Sequence, residues 1–278
     1  MKNKISNSII TVIFIIAVLL AVTGTVDNKS EAYTDETLKR TLIAFGVARG
    51  LNGVISMAQG TEVALQPAGI GINFTPGQVL DPINDLVERF SWIMLASSAS
   101  IGIQKVLLKM SAWPIFSYLS AFLLLVSLAM LWLPKLQESK FREVFIKLAF
   151  IIIVLRFSVP FIAVASEFIY DEFLYSQYVE ASEQLKETTE KIGNINRSVE
   201  REIPYKGDSS IWERAKQFYD SAAETINIEA RIEQYKEAAA DASKYAINLI
   251  VVFVFQTILF PIVFLAVIYS FAKSLVRF

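Results

Sequence analysis

One charged side chain in this sequence sits where charge is expensive. Arg156 lies midway along an apolar run, between Ile151–Leu155 and Phe157, with Pro160 four residues on. A guanidinium at bilayer depth costs at least about 2.5–3.5 kcal/mol, so it must face protein, water or a carboxylate. No Asp or Glu falls inside another apolar run. Its expected partners are therefore Gln256, at similar depth in the last run, and carbonyls freed near Pro160 or Pro261. Arg156 and Gln256 could line a pore or substrate path, or simply bridge helices. Asp81, Asp85 and Glu88 share one helical face and could meet a cation or a basic partner. A helix start also uses such residues to complement its dipole. Gly46 and Gly50, four apart, could let two helices pack closely.

Residue types exclude several other chemistries. The chain has no histidine and no cysteine. That removes Ser-His-Asp and Cys-His catalysis, histidine-held zinc or haem, disulfides and thiolate metal sites. An enzyme would have to work with Asp81, Asp85, Glu88 and Glu167. Gly69-Ile70-Gly71 does not continue as a phosphate-binding loop. No catalytic residue, resident metal or cofactor is assigned, and the chain is read as non-enzymatic. A formal net charge of −1 offers nucleic acid no global attraction.

These residues are positioned by long apolar runs. Hydrophobic residues make up 54% of the chain and charged ones 19%, and they segregate into blocks separated by charged stretches. Four spans are predicted: about Ile9 to Val22, reaching Val26 with its small neighbours, then Ile115–Leu133, Val144–Ala165 and Ala246–Ala272. The first, after Lys2 and Lys4, fits either a membrane anchor or a cleaved signal peptide. Pro114 and Pro134 bracket the second. Basic residues mark one side of the membrane: Lys2 and Lys4, the loop with Lys135, Lys140, Arg142 and Lys147, and Lys273 with Arg277. Both termini are then cytoplasmic, with residues 27–113 and 168–245 outside.

The chain accordingly divides into an anchor (1–26), a first outer segment (27–113), two spans with a basic loop (114–167), an outer segment (168–245) and a last span (246–278). In the first outer segment, Leu38, Leu42, Phe45, Leu51, Val54, Ile55 and Ala58 recur at helical spacing. Thr61–Gly77 is broken by Gly and Pro and reads as a hairpin or ordered loop. A second amphipathic helix begins at Val79 and enters the apolar patch Ser91–Ile103, which is short for a span and suits the membrane interface. The second outer segment reads as a helical hairpin, about 170–200 and 209–245, turning at Pro204 and Gly207. Its apolar seam is thin and needs other helices against it.

The run GLNGVISMAQGTEVALQPAGIGINF, within Phe45–Trp113, resembles a group of uncharacterised bacterial inner-membrane proteins. The resemblance covers about a quarter of the chain and implies a bacterial inner-membrane location without implying an activity. The expected fold is an all-α membrane protein with four transmembrane helices, an interfacial amphipathic helix and an extramembrane helical hairpin. Its expected partners are the lipid bilayer, further copies of itself as a homo-oligomer, and an envelope protein. The leading function is a self-assembling membrane scaffold; an oligomeric channel and a carboxylate enzyme are the alternatives.

Overall fold

A computed structural model describes residues 2–60, 63–65, 72–74, 80–133, 141–202 and 211–277. Helices α1 (Lys2–Thr23) and α2 (Thr25–Gly60) come first, then two short strands, β1 (Val63–Leu65) and β2 (Ile72–Phe74). Helices α3 (Asp81–Ser111), α4 (Pro114–Trp132) and α5 (Arg142–Ile169) follow. A π-helical turn, Tyr170–Leu174, joins α5 to α6 (Tyr175–Glu202). After α7 (Ile211–Val254), a second π turn, Phe255–Leu259, leads into α8 (Phe260–Arg277). The strands pair antiparallel with Ala64 opposite Asn73. Most of the expected loop around them lies outside the described residues, as do the turn at Pro204–Gly207 and the loop positions Lys135 and Lys140.

Among the described residues five helices are long and apolar enough to cross a membrane by length and composition: Thr25–Gln59, Asp81–Ser111, Pro114–Trp132, Arg142–Arg197 and Ile232–Ser274. Asn7–Thr23 is a shorter apolar helix. The apolar run 9–26 is not one helix, because Gly24 takes φ +62° and separates α1 from α2. Glycine reaches that region without the Cβ clash other residues meet.

Burial follows a repeat of three and four. In α2 the enclosed positions include Asp27, Ser30, Thr34, Thr37, Thr41, Ala44, Ala48, Leu51, Ile55 and Ala58, with Tyr33 and Arg40 buried beside them. This is the spacing of a coiled-coil seam, which averages 3.5 residues and keeps one stripe inward over many turns. The seam is polar to Thr41 and apolar from Ala44. It departs from the face expected from apolar spacing, since Leu42 is half exposed. Small and hydroxylated residues take the inside because they let helix backbones approach.

The chain forms two compact units. The first holds Met1–Arg40, Ser97–Phe173 and Val254–Phe278. Its apolar cluster gathers Phe14, Ala17 and Ala21 of α1, Leu124 and Leu131 of α4, and Ala149 and Phe157 of α5. Phe14 meets Phe150 edge to face, centroids 5.4 Å apart. Directions can be read from paired residues. Asn7 accepts from Arg142 at 3.5 Å and Phe14 meets Phe150, so α1 runs parallel to α5. Thr11 accepts from the Trp132 indole at 2.8 Å, so α4 runs antiparallel to α1.

The second unit holds Thr41–Ala96 and Leu174–Phe253. Its core joins Leu51 and Ile55 of α2, Val87, Phe90 and Met94 of α3, Leu185 and Ile192 of α6, and Ala238, Ala242 and Leu249 of α7. The Asn196 amide donates to the Val54 carbonyl (2.9 Å) and accepts from the Tyr235 hydroxyl (2.6 Å). The thin seam of the α6–α7 hairpin is thus closed by α2 and α3. The helix expected from Val79 into the patch at 91–103 is present as one helix, α3, described from Asp81 on. Its Val87, Phe90 and Met94 are packed within the protein.

Candidate functional site

Polar side chains concentrate in the first unit, where the first turns of α2 meet α5. Asp27 stands in the first turn of α2, a favourable place for a carboxylate at a helix dipole. It accepts both guanidinium nitrogens of Arg156, Nη1 at 2.9 Å and Nη2 at 2.5 Å. Arg156 is 1% exposed and Asp27 9%. This two-pronged geometry is the strong form of an arginine–carboxylate pair. The break at Gly24 matters here: it redirects the chain just before Asp27.

The contact continues along α5. The Ser30 hydroxyl donates to the Pro160 carbonyl at 2.9 Å. Lys29 pairs with Glu167 at 3.2 Å on the more exposed flank. Farther on, the enclosed Arg40 donates to Glu36 (3.1 Å) and Thr37 (3.0 Å), and its guanidinium stacks 3.8 Å from the centre of the Tyr170 ring. Residues 27, 30 and 40 thus meet 156, 160 and 170 in rising order. Within this unit, α2 runs on beside α5 in the same direction as α1.

The second part of the layer surrounds the π turn Phe255–Leu259. The Gln256 amide donates to the Tyr33 hydroxyl at 2.6 Å, with Gln256 3% exposed. Pro261 lacks the N–H that would donate to the Thr257 carbonyl in a regular helix. That carbonyl is taken instead by the Ser100 hydroxyl (2.7 Å) and the Gln104 amide (3.0 Å) of α3. The wider turn is the local adjustment that a helix uses to absorb such a break. Lys105 pairs with Asp35, and Lys109 approaches Glu31 at 4.0 Å, so α3 runs antiparallel to α2.

The residues singled out by sequence fall as follows. Arg156 has Asp27 as its partner rather than Gln256, which binds Tyr33; the two are committed to separate contacts. The carbonyls of Pro160 and Thr257 serve Ser30, Ser100 and Gln104, not Arg156. Asp81, Asp85 and Glu88 are all exposed, and Asp81 accepts from the Gln59 amide at 2.6 Å. Among the described residues no group of three or more carboxylates is placed to hold a metal ion. Among the described residues nothing lies within 4 Å of a Cβ added at Gly46 or Gly50, so neither is seen in close helix contact. Sequence reasoning missed Asp27, Tyr33, Arg40, Ser100 and Gln104. The regular spacing of Asp27, Ser30, Thr34, Thr37 and Thr41 carried the signal, but a polar stripe reads by default as a solvated face.

Chemically the layer is closed: its two enclosed cations, Arg156 and Arg40, are each paired with a carboxylate, and amides, hydroxyls and a phenol fill the space between them. It can lock helices together and set their register. Comparison with family models, with curated proteins and with solved structures finds no match for this chain.

Proposed function

We propose that the chain is a non-enzymatic scaffold of the bacterial inner membrane that assembles with copies of itself through its outer helices. The observation that carries this reading is a second apolar stripe on α3. Trp92, Leu95, Ile103, Val106 and Met110 recur mostly at threes and fours, and all are exposed, Met110 by 65% and Ile103 by 62%. They face away from the seam that holds α3 in the chain. Exposed apolar surface in such a row marks an interaction site, and its spacing suits another helix. The open face of α2 at Gly46 and Gly50 offers a second close-packing surface.

The directions of the helices support placing α2 and α3 outside. α1 leaves the cytoplasmic side, and the first turns of α2 continue its direction along α5. A helix that keeps going is not a return crossing, so within the first unit α2 continues outward beside α5. α3 comes back antiparallel, and Pro114 opens α4 for the inward crossing. α1, α4, α5 and the last helical stretch from Ala246 then form the four spans, with both termini and the basic loop cytoplasmic.

The channel reading is weaker, because the charge that would line its path is enclosed and bound to Asp27. The deciding measurement is the mass of the detergent-solubilised chain by native mass spectrometry. A discrete oligomer is expected, falling to a monomer in Ile103→Glu/Val106→Glu. A monomeric wild type would overturn self-assembly. Ion flux in reconstituted vesicles that is abolished by Gln256→Leu in a correctly folded protein would restore the channel reading.

A further inference from the structure

A cavity of about 590 Å³ opens in the first unit among α1, α5 and α8. Ile13, Phe150, Val154 and Phe271 give it apolar walls, and Glu143 and Lys147 are its charged groups. Its size lies within the roughly 300–1,000 Å³ of small-ligand sites. Ile13 and Phe271 are exposed, by 41% and 63%, so the apolar walls are open to the surroundings. Lys147 is half-buried, and among the described residues neither it nor Glu143 has an ion-pair partner. The charged end coincides with the basic ends of three helices. Lys2 and Lys4 start α1, Arg142 starts α5, and Lys273 and Arg277 close α8.

We infer that this groove is a binding site for one anionic phospholipid of the surrounding bilayer, its acyl chain between α1, α5 and α8 and its phosphate at Lys147. The inference rests on the membrane reading of these helices, and it is independent of self-assembly. Basic pockets between spans on the cytoplasmic side suit anionic headgroups, at roughly 1 kcal/mol per cation. The concave, one-sided shape separates this site from the lipid that coats any exposed span. Glu143 works against an anion here, so it sets a limit on affinity rather than aiding it.

The test is native mass spectrometry of the full chain, delipidated in detergent and titrated with phosphatidylglycerol or phosphatidylcholine of identical acyl chains. One phosphatidylglycerol per chain is expected to be retained about fivefold better than phosphatidylcholine. Lys147→Gln should bring the two lipids to parity, and Glu143→Gln should favour phosphatidylglycerol further. Ile13→Trp, which fills the groove, should remove the adduct, whereas Leu125→Trp on the exposed face of α4 should not. Should Ile13→Trp misfold, as judged by helicity, Val154→Phe replaces it. Equal retention of the two lipids by the wild type, or equal effects of the groove and α4 variants, overturns the site. Recovery of the chain in the soluble fraction after alkaline washing would instead overturn the membrane reading itself.

Discussion

Arg156 shows how far a single residue can be read. Its depth in an apolar run announces that something must neutralise it, yet no carboxylate lies inside another apolar run. Asp27 lies one residue past the end of such a run, three residues after the left-handed turn at Gly24 that separates α1 from α2. A backbone angle of that kind has no reliable trace in composition. The pair carries a definite energetic expectation. Asp27→Leu or Arg156→Met alone strands a buried charge and should destabilise the protein by about 3–5 kcal/mol in detergent. Asp27→Leu with Arg156→Met should recover most of that loss, because two apolar groups need no pairing. Additive losses in thermal unfolding of the two single variants and the double variant would show that the residues act apart. Gly24→Ala is a separate probe of the turn: forcing a Cβ into φ +62° should lower stability by about 1–2 kcal/mol. No such loss on melting would mean that the turn relaxes.

Among the elements, helix existence was legible and helix facing was not. The arms of the expected hairpin fall on α6 and α7, the apolar block Ile9–Val22 falls on α1, and the other three apolar runs fall on α4, α5 and the stretch from the end of α7 through α8. Apolar spacing found Leu51, Ile55 and Ala58 of the α2 seam but missed its Thr and small Ala positions and took in Leu42, which points outward. The same inversion predicts an asymmetry in tolerance. Ala48→Leu, at a fully enclosed position, should cost about 1–3 kcal/mol by overpacking, and Leu42→Ala, at an exposed one, little. Comparable melting shifts for both would mean that the seam is not close-packed. The break at Pro261 was visible in sequence, but which side chains repair it was not. Ser100 and Gln104 reach Thr257 across more than 150 residues of chain. Gln104→Leu should cost about 1–2 kcal/mol, and less once Pro261→Ala has restored an N–H for that carbonyl. An unchanged cost in the Pro261→Ala background would assign Gln104 a different role.

For the molecule as a whole, hydropathy and direction give different weights to the same helices. By composition α2 and α3 are apolar enough to cross a membrane, yet the rising order of contacts 27–156, 30–160 and 40–170 carries α2 onward beside α5. Positive charge alone does not decide between them, because two added crossings cancel and leave the three basic clusters on the same side. The absence of cysteine from the chain makes the choice measurable with single introduced thiols. Arg49 and Glu183 are exposed positions on α2 and α6, and Glu143 and Lys273 are exposed on α5 and α8. With four spans, a membrane-impermeant maleimide added to cells with a permeable outer envelope should label Arg49→Cys and Glu183→Cys from outside. Glu143→Cys and Lys273→Cys should react only after the inner membrane is opened. Were α2 a span instead, the thiol at 49 would lie among lipid chains, where the thiolate needed for reaction is suppressed on both sides. An unreactive thiol at 49 beside a reactive one at 183 would therefore move α2 and α3 into the bilayer, and their exposed stripes would then face lipid rather than another copy of the chain.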